Sequence, residues 1–124
     1  MMNFLQRRRI LKNTNTFDLT PAYLVKHEIG ENNLVTVLMP KFQNKITIKL
    51  FEPKLKSPHI KIKLDELGSA VWLAIDGKKN VGVIAGELVA ALGDKIQPVE
   101  ERLPKFLTQL YEQRLITFEE LKGA

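Results

Sequence analysis

Two histidines, His27 and His59, and two serines, Ser57 and Ser69, are the first places to look for acid–base or nucleophilic chemistry. The histidines lack the i, i+4 helical spacing of a zinc protease, and neither serine stands in the glycine-framed elbow of a hydrolase nucleophile. Cysteine is absent, which excludes thiolate zinc sites, iron–sulfur ligation, disulfides and cysteine nucleophiles. Glu100 and Glu101 are adjacent, so on a helix they diverge and read as solvated surface rather than as an acid/base pair. Gly82 and Gly86, four apart, suit close helix packing better than a phosphate cradle. The expectation is a non-catalytic protein with no metal and no cofactor.

The elements that carry these residues change character near Asp65. Ala22 to Ile29 and Leu34 to Met39 are rich in β-branched residues, and the turn formers Gly30, Glu31, Asn32 and Asn33 between them predict a β-hairpin. Pro40 is expected to end the second strand. Ile46, Ile48 and Leu50 alternate with Thr47, Lys49 and Phe51, and Ile60, Ile62 and Leu64 alternate with His59, Lys61 and Lys63, the period of two that marks half-buried strands.

From Asp65 the period is about 3.6. Asp65 is a good N-cap for a helix lined by Leu67, Val71, Trp72 and Ile75, with Gly77 as its stop. Asn80 is placed to cap a second helix whose apolar stripe is Val81, Ile84, Ala85, Leu88 and Leu92, closed by Gly93. Pro98 suits the first turn of a third helix lined by Val99, Leu103, Phe106, Leu107 and Leu110. Pro104 inside it predicts either a kink near Leu103 or a later start. Leu115 to Phe118 reads as a short strand or apolar tail.

These elements fit one domain of 124 residues with globular proportions, 44% apolar and 27% charged. No signal peptide or 18-residue apolar run is present, so a cytoplasmic protein with no membrane partner is expected. The net charge of +5 is uneven. Residues 1–63 hold 12 Lys and Arg against 4 Asp and Glu, whereas residues 64–124 hold 7 against 10. A DNA-reading helix needs cations toward phosphates, but the third helix balances Arg102, Lys105 and Arg114 with Glu100, Glu101 and Glu112. The positive charge lies on the arm and strands, which suits an acidic polypeptide better than a duplex, so nucleic acid is not the expected partner.

The run Leu64-Asp65-Glu66-Leu67-Gly68-Ser69-Ala70-Val71-Trp72, then Asp76-Gly77-Lys78-Lys79, Val83-Ile84-Ala85 and Leu110-Tyr111-Glu112-Gln113-Arg114-Leu115-Ile116, resembles the PqqD family in order and spacing. The resemblance covers about His59 to Phe118. It implies an α+β, winged-helix-like fold, with N-terminal antiparallel strands followed by a three-helix bundle. Residues 22–124 would form that single domain, with a basic arm at 1–21 and a basic insertion at about 41–58.

The resemblance also implies a function: a recognition element that binds the leader of a ribosomally made precursor peptide and presents it to a modifying enzyme, often a radical-SAM protein. Pyrroloquinoline quinone synthesis itself is not implied strongly. In such domains the leader adds as a strand beside the strand preceding the first helix, in a groove also lined by the third. On this chain those positions are Ile60, Lys61, Ile62 and Lys63 with Arg102, Lys105, Phe106, Gln109 and Leu110. Lys61 and Lys63 suit pairing with leader carboxylates or guarding a bare edge against aggregation, and Phe106 and Leu110 suit core as well as groove. If Ile46 to Phe51 paired with the strand at 59–64, that edge would be occupied. The alternative reading is a winged-helix DNA-binding regulator.

Overall fold

The computed structural model describes residues 15–40 and 59–122. The arm before Asn15 and the segment 41–58, with its expected strand at Ile46 to Phe51, lie outside the described residues. Five strands and three helices follow in the order β1 (Pro21–Tyr23), β2 (Lys26–Ile29), β3 (Val35–Pro40), β4 (His59–Lys63), α1 (Glu66–Ala74), α2 (Val81–Leu92), α3 (Val99–Glu112) and β5 (Ile116–Phe118). The expected architecture, antiparallel strands and then three helices, is present.

β2, β3 and β4 form an antiparallel sheet in that order, with Glu28 opposite Thr36 and Thr36 opposite Lys63. One face packs on the helices through Val35 and Val37, both almost fully buried. The predicted hairpin is therefore present, but the predicted strand Ala22 to Ile29 is split at Leu24 and Val25. Pro21–Tyr23 leaves the sheet and pairs with β5, Pro21 opposite Phe118, while the Leu24 N–H donates to the Leu115 carbonyl. Period-two patterning cannot show which partner a strand takes.

β3 also runs one residue further than expected, through Pro40. The Leu64 N–H donates to the Val35 carbonyl, so Val35, Val37 and Met39 face β4 with their backbone groups and Thr36, Leu38 and Pro40 face the other way. β2 pairs only as far as Lys26 opposite Leu38, so the missing N–H of Pro40 costs no ladder bond.

Residues 15–21, expected as the end of the arm, instead join the fold. Asn15 caps a 3-10 turn at Thr16–Asp18, Leu19 is 2% exposed, and the Leu19 carbonyl accepts the Val81 N–H at the start of α2. The Phe17 carbonyl lies 3.4 Å from where a Gly82 Cβ would stand, whereas a Cβ on Gly86 would meet nothing within 4 Å. The glycine pair thus admits a loop at one position and does not pack a helix.

Both predicted caps form: Asp65 Oδ1 accepts the Gly68 N–H at 2.7 Å and Asn80 Oδ1 the Val83 N–H at 2.8 Å. α1 stops at Ala74, before the predicted Gly77, which instead takes φ +78 in the turn where Asp76 Oδ1 accepts the Lys78 and Lys79 N–H groups. Pro98 is the N-cap of α3 rather than its first residue, and the Gln97 side chain takes the Val99 N–H. α3 starts no later than that despite Pro104 within it; the Glu100 carbonyl, which Pro104 cannot serve, is on an exposed residue that water reaches.

α3 ends in a Schellman motif, the Leu115 N–H bonding to the Leu110 carbonyl and the Arg114 N–H to Tyr111, with Arg114 itself at φ +63. The chain then enters β5 and returns to the N-terminal side. There Thr20 donates its N–H and hydroxyl, each at 2.7 Å, to the two carboxylate oxygens of Glu120. Desolvation alone would raise the Glu120 carboxyl, but the Thr20 hydrogen bonds outweigh it and hold the group below the usual carboxylate range. A depressed folded value stabilises the fold above the unfolded pKa and loses that contribution as pH falls through the folded one. Glu120→Gln should therefore lower Tm slightly at neutral pH, and the difference from wild type should vanish in strong acid. An unchanged gap across that range would show that the staple is not ionic.

Ser69 is the buried polar side chain of the core, 2% exposed. Its hydroxyl accepts the Val35 N–H at 2.8 Å and donates to the Leu64 carbonyl at 3.4 Å, standing in for the ladder bond that β3 and β4 no longer make directly there. Ser69→Ala would leave a buried N–H unmatched and should destabilise the protein by about 1–3 kcal/mol, measurable by urea unfolding.

Candidate functional site

β4 is an edge strand among the described residues: β3 covers one side and no described strand covers the other. The Leu64–Val35 bond fixes which backbone groups face outward. In an antiparallel ladder a residue directs both its N–H and its C=O to the same side, and successive residues alternate. Leu64, Ile62 and Ile60 therefore spend their polar backbone on β3, whereas Lys61 and Lys63 direct theirs to the open edge.

The side chains alternate in the other dimension. Ile62 and Leu64 pack against the helical core, while Ile60 is 43% exposed near the start of the strand. Lys61 and Lys63 project from the opposite face of the sheet, both exposed. The Lys61 ammonium sits 4.0 Å from the Glu28 carboxylate, two strands away, with both side chains about 60% exposed. Such a surface pair contributes little and opens readily. Of His59 only its place in the strand is described.

Where β4 hands over to α1, a cleft of about 160 Å³ opens between α1, α3 and the turn that joins α2 to α3. Its walls are Leu67, Gly68 and Val71 from α1, Ile96 from the turn, and Leu103 and Phe106 from α3, with Asp65 and Arg102 at its polar edge. Gly68 is where the two sides meet: a Cβ there would stand 3.4 Å from Leu64 Cβ and 3.5 Å from the Phe106 ring. The helix-facing side of β4 thus leads into the cleft at its Leu64 end. The Arg102 guanidinium donates to the Lys95 carbonyl at 2.8 Å, which fixes its stem along the wall.

Of the residues predicted for the site, Arg102 and Phe106 line this cleft and Ile60 to Lys63 form the edge beside it. Lys105 and Gln109 are exposed on α3. Leu110 is a core residue, 4% exposed, and does not line the cleft. Sequence reasoning missed Asp65, Leu67, Gly68, Val71, Ile96 and Leu103 as site residues. Leu67 and Val71 were visible as a helical stripe, but the stripe does not show which part of it remains uncovered.

Trp72, fully buried, lies away from the cleft. Tyr23 stacks on it at 4.8 Å between ring centroids and donates its hydroxyl to the Trp72 carbonyl, and His27 meets it edge-on at 5.8 Å. Burial first, and then the charge of Asp76, push the Tyr23 hydroxyl up to about 12, so it remains a donor throughout the neutral range. The indole Nε1 is buried without an acceptor among the described residues.

Among the described residues no group of three or more His, Asp or Glu is placed to hold a metal ion, and no helix is long and apolar enough to cross a membrane. The Asp65 cap fixes the strand-to-helix corner beside the cleft; Asp65→Ala should cost about 1 kcal/mol in thermal or urea unfolding. No curated protein and no solved structure matches the chain. Residues 57–116, which hold β4, all three helices and the first residue of β5, match the model of the PqqD family, described as Coenzyme PQQ synthesis protein D.

Proposed function

We propose that this chain is a non-catalytic adaptor that binds the leader of a ribosomally made precursor peptide and presents it to a modifying enzyme of the radical-SAM or a similar class. One observation carries this reading: inside the segment that matches PqqD, an edge strand with outward-facing backbone groups lies beside an apolar cleft. An extended peptide satisfies such an edge by adding as a further strand, and its alternate side chains find pockets next to it.

The reading includes residues 15–40 and 59–122 acting as one winged-helix-like domain in the cytoplasm. The family description supports a part in coenzyme PQQ synthesis, and the precursor peptide and its modifying enzyme are the partners that this reading assigns. Ile60 to Lys63 supply the edge, while Phe106 and Arg102 supply the facing wall.

The parity of β4 defines the test. Proline at Ile62 would remove a bond within the sheet and destabilise the fold, but proline at Lys63 removes only an outward N–H. A labelled leader, taken from a short reading frame beside this chain's own, should bind wild type, and duplex DNA at physiological salt should not. Lys63→Pro should retain a cooperative thermal transition and bind the leader up to about tenfold more weakly, the loss expected from one hydrogen bond. Unchanged affinity in the folded variant, or salt-sensitive DNA binding with no response to leader, would overturn the proposal.

A further inference from the structure

Resting on that reading, we infer that the peptide accepted by β4 alternates apolar with acidic residues, its apolar side chains turned to the cleft and its acidic ones to Lys61 and Lys63. Lys61 and Lys63, with His59 at the start of the strand, offer the outward backbone groups, so a guest strand that runs along β4 toward the cleft hydrogen-bonds to Lys61 and Lys63. Guest residues directly opposite them then have side chains on the same face as theirs, the sheet face turned away from the helices. The guest residues opposite Ile60, Ile62 and Leu64 fall on the helix face, and at the Leu64 end that face leads to Phe106 and the cleft. This alternation holds whether the guest runs parallel or antiparallel.

Charge decides what the outer positions prefer. Across the open face the rows are Lys26, Leu38 and Lys61, then Glu28, Thr36 and Lys63. A guest strand lies next to β4, so Lys61 and Lys63 are its immediate neighbours. Glu28 lies on β2, two strands from β4, and its carboxylate meets Lys61 in an exposed pair that opens readily. Glu28 reaches Lys61 at only 4.0 Å, and Lys63 has no ion pair among the described residues. The neighbouring field is therefore cationic, and carboxylates opposite two lysines are favoured where ammonium groups are repelled.

The test uses the full chain and labelled synthetic peptides read by fluorescence anisotropy. One peptide alternates Leu with Glu, a second alternates Leu with Lys, and a third has the composition of the first with its acids grouped at one end. Leu/Glu should bind at least about tenfold tighter than Leu/Lys, from two cross-strand pairs, and tighter than the grouped peptide. The double variant Lys61→Glu with Lys63→Glu should reverse the preference. The same charge change placed at Lys78 and Lys122 should leave it intact.

Equal binding of the Leu/Glu and Leu/Lys peptides, or of the grouped one, would overturn the inference and leave the adaptor reading standing if the leader still binds. Reversal by the Lys78 and Lys122 variant would show that net charge alone is read, and would overturn it as well. Failure of every peptide together with failure of the leader would overturn both.

Discussion

The hydroxyl of Ser69 sits where a β-sheet becomes a helix bundle. At that corner β3 and β4 are about to diverge, α1 has just begun, and the Val35 N–H and the Leu64 carbonyl are both taken out of water. A single donor–acceptor group on the first turn of α1 satisfies both, while Asp65 caps the same turn. The sheet and helices are thereby tied at one point, so the direction in which β4 arrives fixes where α1 begins. Both the open edge and the cleft depend on that geometry, because Gly68, between Leu64 and Phe106, is the residue immediately before Ser69.

The second closure runs between the ends of the described fold. β1 pairs with β5, and Thr20 grips Glu120 through two hydrogen bonds. It leaves the three-stranded sheet with two free edges among the described residues, β2 and β4. What separates them is the neighbourhood: β4 leads into the cleft through Leu64, whereas β2 has Tyr23, His27 and Trp72 packed beside it. An apolar cleft of about 160 Å³ has room for side chains, which suits the peptide recognition proposed above.

Much of the fold was legible in the sequence because it is local. The caps at Asp65 and Asn80 follow from side-chain oxygens reaching N–H groups three residues on, and the helical stripes and the β2–β3 hairpin follow from periodicity. Pairing across long distances was not legible. Ala22 to Ile29 has the composition of one strand, yet its first part is claimed by β5, nearly a hundred residues later, and Leu19, expected in an arm, is buried beside the start of α2. Pro40 was expected to end its strand, and β3 includes Pro40 as its last described residue, because its missing N–H faces a side on which β2 has already stopped.

By itself, the sequence determined the helical half, the alternation of Ile60, Ile62 and Leu64 with Lys61 and Lys63, the absence of cysteine chemistry, and the resemblance that the family match over 57–116 supports. Only the tertiary structure decided which residues the candidate site can use. Leu110 went to the core and Phe106 to the cleft although they share a helical stripe, since a stripe records hydrophobicity and not what covers it. Lys61 and Lys63 became the outward backbone pair because one hydrogen bond, from Leu64 to Val35, set the parity of the ladder. Side-chain patterning is blind to that parity, for the backbone groups that a guest strand would meet are the same in every residue but proline.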